Sequence, residues 1–571
     1  MTLPCDGEIC MEDVVKELSL TGNACLNNAA IRDLAGKPSG KICFDDLYCK
    51  SKGGSVDDVL LVVGNSDTLG YAPLQQMQWS LDPSGKGETE EPGPVPEEWG
   101  TWFPPAPSQY LWYNIDFIRM SPNQRFIYIY FAAGSGNQML LAWNKAQSWQ
   151  TASWNAVPQD PWSGGSGGNG QGAAGADFTH DNKFMIAGFR NYIYPNGNTN
   201  PFLMCYELTD WTPDSQGRPQ GANARWKTAQ PPWVFDRDEM EDATGLINPS
   251  VTNPWCMPKG QKTSTEGVVV YNSGSYLCIW KYHPTQGLTF MTKYPHSPTT
   301  PAALRWADRK NGKWVVCHPT NIQPVVDGLA DPDNQTNILQ VWQLRASNYT
   351  LMPASTLQNP WRYKVRTRNN GIMEPDYWSD WRWQTKIWIE SRFGDDPIFV
   401  SEDRKWICFF NAGANDDVWP AWQYTKMVSG KEVAAQGESD ATIQYGAEGK
   451  PKTFDIYFGK WNDSTGVITN LVGFNPLSPD PEDTQANPNR ASGWQWLSWD
   501  KDMKFFTIGG VFSSSGYHRL MQTYKWDNSS DNPVGERTWN IEQVYQDAGQ
   551  PEGWSGAKFS SYTGMYVPNT D

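Results

Sequence analysis

Histidine is scarce. The 571 residues hold five, His180, His283, His296, His318 and His518, and none stands at H-x-H or H-x-x-x-H spacing from another. A local histidine metal motif is therefore missing, and no cofactor is expected. Basic charge is also short: 46 Lys and Arg against 62 Asp and Glu give a net −16 and a pI near 4.9. Such a chain repels phosphate backbones and anionic lipid, and no local basic patch is apparent, so neither nucleic acid nor a membrane surface is an expected partner. No run approaches the roughly 20 apolar residues that cross a bilayer, which argues against membrane insertion. The start, MTLPCDGEICMEDVV, lacks the basic and apolar regions of a signal peptide, so the product is expected to be made and kept in the cytosol, or to leave it by a route other than secretion.

Phosphate and nucleophile motifs fail on spacing or context. In GKPSGKI, Gly36 and Gly40 are one residue too close for a P-loop, and Ile42 occupies the hydroxyl position. GGSGG at 164–168 satisfies G-x-S-x-G but lies in a glycine-rich stretch, whereas a nucleophile elbow joins a strand to a helix. DPDNQTN from 331 and SPDPEDTQANPN from 478 lack EF-hand spacing and read as solvated turns.

What the chain does have is rings and turn formers: 31 Trp, 24 Tyr, 22 Phe, 51 Gly and 42 Pro, the inventory of a strand-and-turn protein. Helical spacing is confined to the first part, where Val14, Val15 and Leu18 share a face and NNAAIRDLAG reads as an Asn cap with Gly36 as its stop. The domain reading is an N-terminal module at 1–53, a linker and acidic connector at 54–99, and a repeat domain at 100–571.

Two elements recur in the repeat domain. The first is a polar turn, a Lys or Arg and an apolar strand: SPNQRFIYIYF, THDNKFMIAGF, ADRKNGKWVVC, SEDRKWICFF and WDKDMKFFTIGG. The second is a strand ending in an aromatic and a polar turn, beginning near 139, 202, 276, 338, 453 and 519, with one double gap that leaves room for a further unit. At roughly 65 residues per repeat this predicts an all-β propeller of about seven blades, with a β-sandwich array as the alternative. GAKFSSYTGMYVP at the C-terminus is a candidate to complete the first blade.

Two segments place rings beside acids in expected loops: EPDYWSDWRWQTKIW, with Trp378, Trp381 and Trp383, and NDDVWPAWQYTK, with Trp419 and Trp422. Rings that stack on sugar faces while carboxylates bind hydroxyls suit a glycan, so these five are candidate glycan-binding residues; packing between blades is the alternative. Five of the ten cysteines fall in the first 49 residues: Cys5, Cys10, Cys25, Cys43 and Cys49. A module with so little core needs cross-links or a metal, and an odd count leaves a thiol for another chain. Zinc is the alternative to disulfides, although Cys5 to Cys10 and Cys43 to Cys49 are wider than the usual knuckle spacing.

The stretch LSLTGNACLNNAAIRDLAGKPSGKICFDDLYCKS resembles a short module found near the N-termini of tail and other virion proteins of tailed bacteriophages. Leu26, Asn27, Ile31, Arg32, Leu34, Gly36, Ser39, Gly40, Ile42, Asp46, Tyr48, Lys50 and Ser51 carry the likeness, over about residues 18–52. Cys25 and Cys43 stand where that family has Ser, and Cys49 where it has Gly. The resemblance implies a virion protein assembled in the host cytoplasm: a tail fibre or tail-associated receptor-binding protein. Residues 1–53 would dock on other tail or baseplate proteins and the propeller on a host surface glycan or protein. It also implies a homo-oligomer, a trimer first. The expected class is structural and not enzymatic, with a propeller glycosidase or depolymerase and a passive decoration protein as alternatives.

Overall fold

The computed structural model describes Val14 and Ile31, and then the strands named below with many of their turns. Coverage is continuous over 173–189, 231–260, 265–297, 299–319 and 337–369. Val14 and Ile31 are helical and buried. The rest of the N-terminal module, including the five cysteines and the other residues of the phage-like pattern, lies outside the described residues.

Among the described residues, seven antiparallel sheets follow one another as blades, in line with the all-β propeller expected. From inside outward, blade 2 is Ile115–Met120, Phe126–Phe131, Gln138–Ala142 and Ser153–Ala156. Blade 3 is Ala173–Phe178, Phe184–Phe189, Leu203–Thr209 and Asn223–Arg225, with Val234–Phe235 extending its outer edge. Blade 4 is Thr252–Pro258, Gly267–Ser273, Tyr276–His283 and Gly287–Pro295; blade 5 is Ala303–Ala307, Trp314–His318, Asn337–Arg345 and Thr350–Gln358. Blade 6 is Ile398–Val400, Trp406–Phe410, Ile456–Asn462 and Val467–Phe474; blade 7 is Trp494–Trp499, Phe505–Phe512, His518–Trp526 and Val534–Asn540.

Blade 1 is made from both ends of the repeat domain. Phe559–Pro568 supplies its inner strand and pairs with Asp58–Ser66, followed outward by Leu74–Ser80 and Gly100–Trp102. The same C-terminal strand lies beside the inner strands of blades 2 and 7, so the ring closes there. This corrects the reading of 54–99 as linker and connector: DVLLVVGNS and LQQMQWS inside that span are strands of blade 1. Their partner is at the far end of the chain, so no local repeat marks them.

Rings fill the wedges between blades. Phe184 meets Tyr282 at 5.7 Å between centroids across blades 3 and 4, Trp314 meets Trp461 edge-on at 5.8 Å across blades 5 and 6, and Phe458 meets Trp499 at 6.4 Å across blades 6 and 7. Each buried ring removes a large apolar area from water, which is why Trp is so frequent here.

The recurring turn joins the inner strand to the second strand. In blade 3 the Thr179 hydroxyl donates to Asp181 at 2.6 Å and accepts from the Phe184 amide at 3.1 Å. In blade 6 Ser401 does the same with Asp403 and Trp406, at 2.6 and 3.0 Å. Each turn passes through one left-handed residue: Asn182, Gly312, Arg404 or Met503. Gly312 is required at its position, because a Cβ there would lie 1.8 Å from the Pro258 carbonyl oxygen of blade 4.

Because strands alternate in direction, inner-to-second and third-to-outer turns share one face of the ring, here the lower face. Second-to-third connections and the links between blades share the opposite, upper face. A further sheet is built entirely from upper-face connections. Trp361–Asn369, Ile372–Trp378 and Arg382–Trp383 lie between blades 5 and 6, and Trp422–Val428 with Lys431–Ala434 lies between the second and third strands of blade 6. The double gap in the sequence repeat thus holds an inserted sheet and not an eighth blade.

His318 gives the fold a pH dependence. It is buried in blade 5 with Nδ1 2.9 Å from the Ile338 carbonyl oxygen, and burial holds its pKa down to about 4. The unfolded chain takes up this proton near pH 6.5 and the folded chain only near 4, so stability falls as pH drops through that window. The loss attributable to His318 is about 3 kcal/mol. Denaturant titrations of wild type and His318→Gln between these pH values should differ in slope; parallel curves would contradict the assignment.

Candidate functional site

The described side chains that sequence chemistry would first suspect are structural. Cys205, Cys256, Cys278, Cys317 and Cys408 are free and buried. Burial raises the pKa of each, Cys278 to about 12, so none is an activated nucleophile. Glu266 receives Lys259, Lys281 and the Tyr349 hydroxyl, and hydrogen bonding, first from Lys259, holds it down to about 2; it stays a carboxylate and has no proton to give.

Near the axis, Asp177 ties four blades together. It sits on the inner strand of blade 3 and is fully buried; its Oδ2 accepts from the Cys256 amide of blade 4 at 2.8 Å. Arg309, at the blade 5 turn, reaches Oδ1 at 2.6 Å, and Arg119, on the inner strand of blade 2, is 3.8 Å from Oδ2. The Arg119 guanidinium also lies 4.1 Å over the Trp255 ring. On the lower face Arg404 forms a bidentate pair with Asp308 at 3.0 Å and reaches Asp463 at 2.6 Å, linking the turns of blades 5 and 6. These ion groups cross-brace the ring. They involve residues far apart in the sequence, and no local signal marks them.

The upper-face sheet brings the tryptophan segments together. Its strand Trp361–Asn369 pairs on one side with Trp422–Val428, where Val365 stands opposite Trp422. On the other side Arg366 stands opposite Trp378 and Arg362 opposite Trp383. Three of the five candidate residues therefore occupy strands of one sheet. This corrects their expected place in loops: turn formers such as Pro375 and the acids disguised the strand IMEPDYW. Trp381 and Trp419 lie outside the described residues. The short hairpin of Val325–Val326 and Leu329–Ala330, from the upper side of blade 5, lies next to Arg382–Trp383.

The same strand corrects a second expectation. WRYKVRTRN carries Arg362, Lys364, Arg366 and Arg368 at every second position, so a local basic element exists within the acidic chain. Counting charge over long runs hides it, because apolar and aromatic residues separate the cations.

No family model matches this chain, and no curated protein does. Among solved structures it is similar to the periplasmic gluconolactonase of Pseudomonas aeruginosa, at 9% identity and TM-score 0.39 over 88% of this chain and 98% of that one. A candidate 6-phosphogluconolactonase of Bacteroides fragilis gives 10% identity and TM-score 0.41 over 90% and 100%. A β-propeller domain from Myceliophteria thermophila gives 7% and 0.34 over 81% and 99%. Two of these three propellers bear the names of lactonases, and the expectation that the chain is not an enzyme is withdrawn.

Proposed function

We propose that this chain is a tail-associated host-binding protein of a tailed phage, with residues 1–53 docking on the tail or baseplate and the upper-face sheet holding a host surface glycan. The observation that carries the reading is that Trp378 and Trp383 stand opposite Arg366 and Arg362, on one face of the strand Trp361–Asn369, while Trp422, opposite Val365, belongs to the other face. A sheet inserted through two separate connections on one face, outside the blades, adds nothing to ring closure. Its aromatic and charged composition suits stacking on sugar rings with hydrogen bonds to hydroxyls. The phage-like pattern over about residues 18–52 supports the virion assignment, and the five cysteines of residues 1–53 support covalent locking of a homo-oligomer after assembly.

Gold-labelled antibody against the propeller, applied to purified particles, tests the location. Label at the tail end supports the proposal; its absence from particles, or label on the capsid alone, sinks it. Incubation of the chain with host envelope polysaccharide distinguishes holding from cutting, since only an enzyme releases fragments. Non-reducing electrophoresis of the same particles tests the cysteine lock: a cross-linked band that collapses with reductant is expected, and a monomer with bound zinc would assign the module to metal.

A further inference from the structure

We infer that the upper-face sheet binds an anionic polysaccharide, one bearing carboxylates along an extended chain. The inference rests on the host-binding reading above and names its ligand class. Alternate residues of a strand share a face, so Arg362, Lys364, Arg366 and Arg368 form one row along Trp361–Asn369. Across the ladder their partners are Thr425 and Trp383, Gln423, Trp378 and Met373, none of them acidic. Over its five strands the sheet holds seven basic residues against Glu374, Asp376 and Glu432, in a chain whose net charge is −16.

Four basic residues in one row give a local positive potential that Glu374 and Asp376, on the neighbouring strand, offset only in part. A polymer with regularly spaced carboxylates meets the whole row at once. Trp378 and Trp383 stand at the register positions of Arg366 and Arg362, so a sugar ring and its acid group find an aromatic and a cation at the same rung. The remaining acidic surface disfavours a denser polyanion by long-range repulsion, which selects a glycan over a nucleic acid.

The test uses the full chain against three immobilised probes: polygalacturonate, neutral dextran and a mixed-sequence single-stranded oligonucleotide. Binding to polygalacturonate alone is expected, weakening on the order of tenfold or more when ionic strength rises from about 0.05 M to about 0.5 M. The double variant Arg362→Glu/Arg366→Glu should lose it, and Lys405→Glu, a charge reversal on the lower face, should not. Where the reversal disturbs the sheet, Arg362→Gln/Arg366→Gln should give the same ranking. Equal binding to dextran, or polygalacturonate binding unmoved by the variants, overturns the inference and leaves the host-binding reading intact. Oligonucleotide binding lost in the same variants overturns it in favour of nucleic acid. A chain that ignores all three probes yet adsorbs to host cells overturns the ligand class alone; one that also ignores cells overturns the host-binding reading as well.

Discussion

A chain ending at residue 558 is expected to lose the ring as a cooperative unit. The missing strand, Phe559–Pro568, makes eight register pairs with Asp58–Ser66. At about 1 kcal/mol per backbone hydrogen bond, a ladder of that length is comparable to the whole stability of an ordinary domain. Its removal also bares the edge of blade 1 and takes away the strand that blades 2 and 7 share, leaving an open repeat array with two sticky ends. Thermal unfolding followed by circular dichroism should broaden and shift down, with aggregation on heating. Adding the peptide 559–571 should restore part of the transition. A truncated chain that melts like the full one would mean that the ring is not closed by this strand.

Asp177→Ala is expected to cost about 3–5 kcal/mol, the range for breaking a buried ion pair by removing one partner. The substitution takes the acceptor from the Cys256 amide and the counter-charge from buried Arg119 and from Arg309, in four blades at once. Asp177→Asn should fall between, because it can still accept the amide while losing the charge. The comparison is Asp531→Ala, which removes a pair with Lys460 whose carboxylate is 88% exposed and should change stability by only about 0–1 kcal/mol. Denaturant midpoints of the three variants order these effects. Equal midpoints for Asp177→Ala and Asp531→Ala would show that the axial cluster carries no strain-bearing load.

The parts of the fold legible in the sequence are those whose physics is local. THDNKF, ADRKNGKW and SEDRKW look alike because each makes the same turn, with a hydroxyl or carboxylate closing it and one left-handed residue near its end, and WDKDMKF shares the left-handed residue at Met503. The closing strand of blade 1 was legible in GAKFSSYTGMYVP, which pairs with Asp58–Ser66 as expected, but its partners within 54–99 were not, since they lie at the opposite end of the domain. The short helix Arg237–Thr244 left a readable mark in Asp236 and Glu239, which form a reciprocal cap, and in Gly245 behind it. It falls within the repeat region and, at eight residues, is too short to show a helical period among the strands. For the candidate site, the residue types in the tryptophan segments were legible, but their meeting was not. Trp378 and Trp422 enter one sheet only because a blade-to-blade link and a second-to-third connection leave the ring by the same face, and they stand on opposite faces of it, at the rungs of Arg366 and Val365. The basic row, although every second letter of WRYKVRTRN displays it, takes its meaning from the register partners on either side.

Adsorption of the labelled full chain to host cells, compared with Trp378→Ala, Trp383→Ala and the double variant, tests the central claim most directly. Each single variant should weaken binding by about 1–2 kcal/mol, near tenfold, as loss of an aromatic anchor does, and the double variant should abolish it while the melting transition of the ring stays in place. Undiminished adsorption by the double variant, with the ring intact, would contradict the assignment of host binding to the upper-face sheet.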